Sequence, residues 1–101
     1  MNLLSFYVSE KQHHGGRPLY EWLLVEAKSI GIQGGSVFRA IAGFGRHGKL
    51  QEDIFFELAG ELAVKVEFIL DDDATERLMA RVRVQHLQIF YLCCEVQAGI
   101  I

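Results

Sequence analysis

Residues 87–96, LQIFYLCCEV, are apolar on both faces of the strand they predict. Successive side chains of a strand point to opposite faces. Phe90, Leu92, Cys94 and Val96 therefore alternate with Ile89, Tyr91 and Cys93, and neither set is polar. A strand of this kind needs cover on both sides. Only two amphipathic helices are legible in the rest of the chain, and two helices cover one face of a small sheet. The second face, with Ile89, Tyr91 and Cys93 expected on it, is left for a further copy of the chain. A bare apolar face of that size marks an interaction surface, and a symmetric homo-oligomer is the economical way to bury it.

The remaining elements can be read from periodicity. Leu3 to Ser9 predicts a strand with Leu4, Phe6 and Val8 on one face. A polar loop, Glu10 to Arg17, follows, and Pro18 suits the first turn of a helix because its missing N–H costs nothing there. That helix is predicted from Pro18 to Ile30 and ended by Gly31. At about 100° per residue, Leu19, Leu23, Ala27 and Ile30 share a stripe. Trp22 and Val25 fall off it, either packed at the rim of the core or at a subunit contact. Val37 to Ala42 alternates as a strand and stops at Gly43; Leu50 to Leu58 predicts a returning strand. Ala63 to Leu70 is a clear strand, with Val64, Val66, Phe68 and Leu70 on one face. A second helix is predicted over Ala74–Val84, where Asp73 and Glu76 have the spacing of a capping box. The order strand, helix, strand, strand, helix, strand is that of an α+β, ferredoxin-like sandwich. It has a four-stranded antiparallel sheet with both helices on one face. Residues 1–101 are expected to form a single domain.

Composition narrows the class of function. Half the residues are hydrophobic, rich enough in a chain of 101 to suggest that part of the apolar surface meets a partner. The net charge of −3, with no basic run, argues against nucleic acid. No apolar stretch approaches the ~20 residues of a membrane-spanning helix, and no signal-peptide pattern opens the chain. Cys93 and Cys94 are adjacent in a strand and cannot easily pair with each other; both are expected in the core of a reduced, cytoplasmic protein.

Two glycine-containing segments carry the candidate chemistry. Gly43, Gly45 and Gly48 are interleaved with Phe44, Arg46, His47 and Lys49, a pattern able to turn backbone N–H groups toward an anion. A basic hairpin loop is the plainer reading. Gly15 and Gly16, after His14, lead into the first helix, whose N-terminal amides favour negative charge. Arg17 can grip a phosphate or carboxylate in bidentate fashion. Arg39, on a strand face with Val37 and Ile41, needs either a carboxylate or a bound anion if that face is buried. Together these residues predict a pocket for a small anionic metabolite. The plainer alternatives are a simple turn at Gly15–Gly16 and a salt bridge across a subunit contact at Arg39. His13 and His14 raise a second possibility, a divalent metal shared between subunits, without a recognised ligand spacing. The Asp71–Asp73 run reads as helix-capping carboxylates rather than metal ligands. No nucleophile-and-base arrangement points to an enzyme.

The run His14-Gly15-Gly16-Arg17-Pro18-Leu19-Tyr20-Glu21, followed by Gly35-Ser36-Val37-Phe38-Arg39-Ala40-Ile41-Ala42-Gly43-Phe44-Gly45, resembles the bacterial and archaeal family called domain of unknown function 190. The likeness extends from the first strand to Glu95-Val96. It implies a PII-like fold and assembly as a homotrimer. Gly43-Phe44-Gly45-Arg46 is similar to the start of the PII signalling loop. The resemblance therefore implies an adenine nucleotide (AMP, ADP or ATP) at subunit clefts, signalling through the 43–62 loop, and a membrane transporter or an enzyme as the regulated target. The chain departs from PII proteins in two places. Arg83-Val84-Gln85-His86 has no glycine where they carry a glycine-rich loop, and Gln97–Ile101 has no arginine.

Overall fold

In the computed structural model, which describes residues 1–43 and 63–101, the chain builds one sheet and packs two helices on one side of it. The elements are β1 (Asn2–Ser9), β2 (His13–His14), β3 (Arg17–Pro18), α1 (Leu19–Ser29), β4 (Ser36–Arg39), β5 (Ala63–Leu70), α2 (Asp72–Arg83) and β6 (Phe90–Glu95). The main sheet has the order β4-β5-β1-β6, and every pairing in it is antiparallel. β1 is central: Leu4 pairs with Phe68 on one side and Cys93 on the other. This is the expected α+β, ferredoxin-like arrangement. The predicted strand over Leu50–Leu58 lies outside the described residues.

Alternation in β1 and β5 sorts their side chains cleanly. Leu4, Phe6 and Val8 join Val64, Val66, Phe68 and Leu70 beneath the helices, all essentially buried. α1 adds Leu19, Leu23 and Ala27, and α2 adds Leu78, Met79 and Val82. Phe6 and Phe68 meet edge to face with ring centroids 6.4 Å apart, a geometry that adds to their burial. Each fully buried large side chain contributes about 1.5–3 kcal/mol by leaving water.

Local chemistry sets the ends of the elements. Gly31, at φ +90°, ends α1 as expected. Pro18, however, stands outside the helix as its N-cap, with extended ψ, because it pairs with His13 in the small hairpin β2–β3. Polar residues 10–17 thus hold a hairpin rather than an open loop. Gly15 and Gly16 supply the two positive φ angles, +61° and +81°, that a tight two-residue turn demands. α2 starts earlier than expected, at Asp72, and its cap is Asp71 rather than Asp73. The Asp71 carboxylate accepts the Ala74 amide at 2.8 Å, so Asp73 lies inside the first turn and no longer fits the capping-box position. The buried Asn2 amide donates to Asp72 (2.9 Å) and Thr75 (3.0 Å), locking the start of β1 to the start of α2.

β6 corrects two expectations. Register with β1 places Phe6 opposite Tyr91 and Leu4 opposite Cys93, so Tyr91 and Cys93 are on the helix side. The uncovered side instead carries Phe90, Leu92 and Cys94, beside Tyr7 and Leu3 of β1. Both cysteines are exposed and free, not core residues, because β6 is an edge strand that the helices do not reach across. β4 is also shorter than expected, ending at Arg39 before Gly43. The uncovered face is nonetheless apolar as anticipated, with Phe38, Ile69 and Leu92 between 43% and 50% exposed. Polar residues interrupt it: Lys65 pairs with Glu67 of the same face at 3.1 Å and lies 5.1 Å above the Phe38 ring.

Candidate functional site

The hairpin β2–β3 is fastened to both helices. The His14 Nε2–H donates to Gln85 Oε1 at 3.0 Å, beyond the end of α2. Its ring stands edge-on to Trp22 of α1, with centroids 4.8 Å apart. A Cβ at Gly15 would lie 3.7 Å from Trp22 Cδ1. Trp22 is therefore half-buried under this hairpin, while Val25 remains exposed. The Leu19 amide at the helix start bonds Gln12 O at 2.7 Å, so this donor is already engaged.

The two arginines of the expected anion pocket both face carboxylates in their own chain. Arg17 lies 3.9 Å from Glu21 one helical turn on, and both are exposed. Arg39 Nε donates to Glu10 Oε2 at 2.7 Å, with the Arg39 side chain 68% exposed. Exposed pairs of this kind contribute only about 0–1 kcal/mol. Arg39, Glu10 and the hairpin share the end of the sheet where β1 and β4 finish and β5 begins. Gly43 follows β4 there and is exposed. Phe44, Gly45, Arg46, His47 and Lys49 lie outside the described residues.

A cavity of about 620 Å³ lies at the opposite end of β4. The α1–β4 connection, residues 30–36, forms one wall of this open cavity; Ile69, Leu70, Asp71, Asp73 and Arg77 line the other. Its volume falls in the range of small-molecule sites, roughly 300–1,000 Å³. Gly35 is required by the close approach of this connection to the core: a Cβ would run into the Phe68 ring and come within 3.1 Å of Leu24 Cδ2. In the sequence Gly31 reads only as the end of the first helix, and nothing there marks residues 31–35 as the wall of a cavity. Among the described residues, no group of three or more His, Cys, Asp or Glu side chains is placed to hold a metal.

The architecture is similar to that of a crystal structure from Thermus thermophilus described as a PII-like signaling protein. The TM-score is 0.57 at 15% identity, over 92% of this chain and 81% of that one. The fold is thus of the PII-like class. The family model described as DUF190, Uncharacterized ACR, matches residues 1–97. The UPF0166 protein of Aquifex aeolicus (strain VF5) is 36% identical over 84 residues, which cover 83% of this chain and 80% of that protein. The chain belongs to the DUF190 family. Among the described residues no helix is long and apolar enough to cross a membrane.

Proposed function

We propose that the protein is a PII-like regulatory protein that works as a homotrimer and binds a small anionic metabolite, an adenine nucleotide, between subunits. The observation that carries this reading is the separation of the two halves of the site. The phosphate-binding candidates His14, Gly15, Gly16, Arg17, Arg39 and Gly43 belong to one end of the protomer, and the cavity of about 620 Å³ to the other. A head-to-tail contact between copies brings such halves together, and head-to-tail contacts that close produce rings. The uncovered apolar face supplies the surface that such an assembly would bury. The sequence reading adds Phe44, Gly45, Arg46, His47 and Lys49 to the ligand contacts, and the 43–62 segment as the part read by a transporter or enzyme. Ligand changes that reading only by preferring one state of the protein over another.

Native mass spectrometry of untagged protein, titrated with ATP, ADP and AMP, tests both parts. The expected result is a trimer taking up one nucleotide per protomer at micromolar concentration. A trimer indifferent to all three removes the ligand, and a monomer removes the assembly. Hydrogen exchange over residues 43–62 that does not respond to saturating nucleotide removes the signalling role of that segment.

A further inference from the structure

The segment between β1 and α1 touches both edges of the sheet. β4 and β6 are the two edge strands, roughly 14 Å apart at the usual strand spacing. β1 lies between them, and the chain leaves its end at Ser9 to form the hairpin β2–β3. On one side His14 bonds Gln85, in the connection from α2 to β6, at 3.0 Å. On the other side Glu10 bonds Arg39, the last residue of β4, at 2.7 Å. From Arg39 the chain runs on through Gly43 into the 43–62 segment.

Between these two contacts the backbone is tied at nearly every residue. The Gln12 amide donates to Ser9 O at 3.1 Å and closes a turn with Glu10 and Lys11 at its centre. The Lys11 amide donates to the Ser9 hydroxyl at 3.1 Å, and the His13 Nδ1–H to Lys11 O at 2.9 Å. The Leu19 amide holds Gln12 O from the helix start, and His14 pairs with Arg17 across the turn. A segment fastened so closely moves as a unit, so a displacement at His14 is carried to Glu10. The two end contacts differ in kind. Each is a side-chain bond at the surface, weak enough to open while the fold stays intact.

We propose that the hairpin couples its own turn to the end of β4, with Glu10 as the positioning residue for Arg39. The His14–Gln85 bond anchors the hairpin in the pose that presents Glu10 to Arg39. A ligand that takes His14 from Gln85 releases the hairpin, and with it the hold of Glu10 on Arg39 at the root of the 43–62 segment. This names the regulation of the nucleotide site proposed above and rests on that reading for its ligand. Coupling of this kind needs a contiguous set of contacts with two arrangements. Here the contacts run from residue 9 to residue 14, and the arrangements are the Glu10–Arg39 bond closed and open. The strength of a surface bond limits the effect to about two- to fivefold.

The test reads the exchange of the Arg39 Nε–H with water by NMR on the full chain, its signal identified by its loss in Arg39→Lys. Without any ligand, Gln85→Ala should speed this exchange about two- to fivefold, toward the rate in Glu10→Gln. Gln85 is exposed, so its loss leaves the core untouched. Asp73→Ala, which removes a surface pair in the first turn of α2, should leave the rate unchanged. The coupling is overturned if Gln85→Ala matches the wild type, or if Asp73→Ala speeds exchange as much. ATP, ADP and AMP are then added. Uptake that speeds Arg39 exchange in the wild type, with no further change in Gln85→Ala, supports the coupling. Uptake that slows exchange equally in both proteins means direct contact with Arg39 and overturns it. Uptake of no nucleotide counts against the proposed function alone, since the ligand-free comparison decides the coupling by itself.

Discussion

A methyl group at Gly35 has nowhere to go. The Phe68 ring occupies the space, with Cδ1 2.8 Å from where a Cβ would sit, and Phe68 is itself fixed in the core against Phe6. The cost of Gly35→Ala is therefore an overpacking cost, expected at about 1–3 kcal/mol and measurable as a lower denaturant midpoint. Gly34, one residue earlier, has open space at the same position, and alanine there should be tolerated far better. The need for glycine at 35 was not legible in sequence, because it depends on an aromatic ring that arrives more than thirty residues later. The same limit applied to the arginines. Arg39 announced that it needed a partner, but only the fold could supply Glu10, which the chain places beside it across two strands.

Among the elements, those whose pattern depends on their own residues were the legible ones. β5 was read to its exact ends, since Ala63–Leu70 alternates without interruption. α1 was read within one residue at each end because Pro18 and Gly31 punctuate it chemically. Elements that depend on a distant partner were read less well. β4 stops early, and the α2–β6 corner turns through left-handed residues that carry no glycine to signal them. The small hairpin was signalled by Gly15–Gly16 but taken for a loop, since two-residue strands have too few positions to show a period. For α2 the decisive residue is Asp71, whose carboxylate satisfies the Ala74 amide. Asp71→Ala should lower global stability by about 1 kcal/mol, seen in chemical denaturation. Asp73→Ala should have less effect, because its contact is a 3.8 Å surface pair with Arg77.

At the scale of the molecule, the sheet has one face finished by helices and one left open. The open face was inferred correctly from the double apolarity of residues 87–96, although the strand presents the other set of side chains to it. The parity of that strand could not be fixed from its own sequence, where both sets are equally apolar; it is fixed by pairing with β1. If the open face is buried between copies, Leu92→Asp should dissociate the assembly, with native mass spectrometry or sedimentation reading protomers in place of the larger species. The same change on an unassembled protein would leave its mass unaltered and improve its solubility. Tyr91→Asp, on the opposite face, is not expected to act through that contact.

The central position of β1 carries a consequence for how the chain is made. Asn2 pairs with both Leu70 and Glu95, so the start of β1 is not enclosed until a segment more than ninety residues downstream has been made. Long-range pairings of this kind slow folding because the intervening chain must close first. On the ribosome, Leu4, Phe6 and Val8 emerge early and find no strand partner until β5 has been translated. Their second edge stays open until β6 has cleared the exit tunnel. Until β6 is made, the nascent chain therefore carries an apolar strand with an unprotected edge, the kind of segment through which incompletely folded chains aggregate.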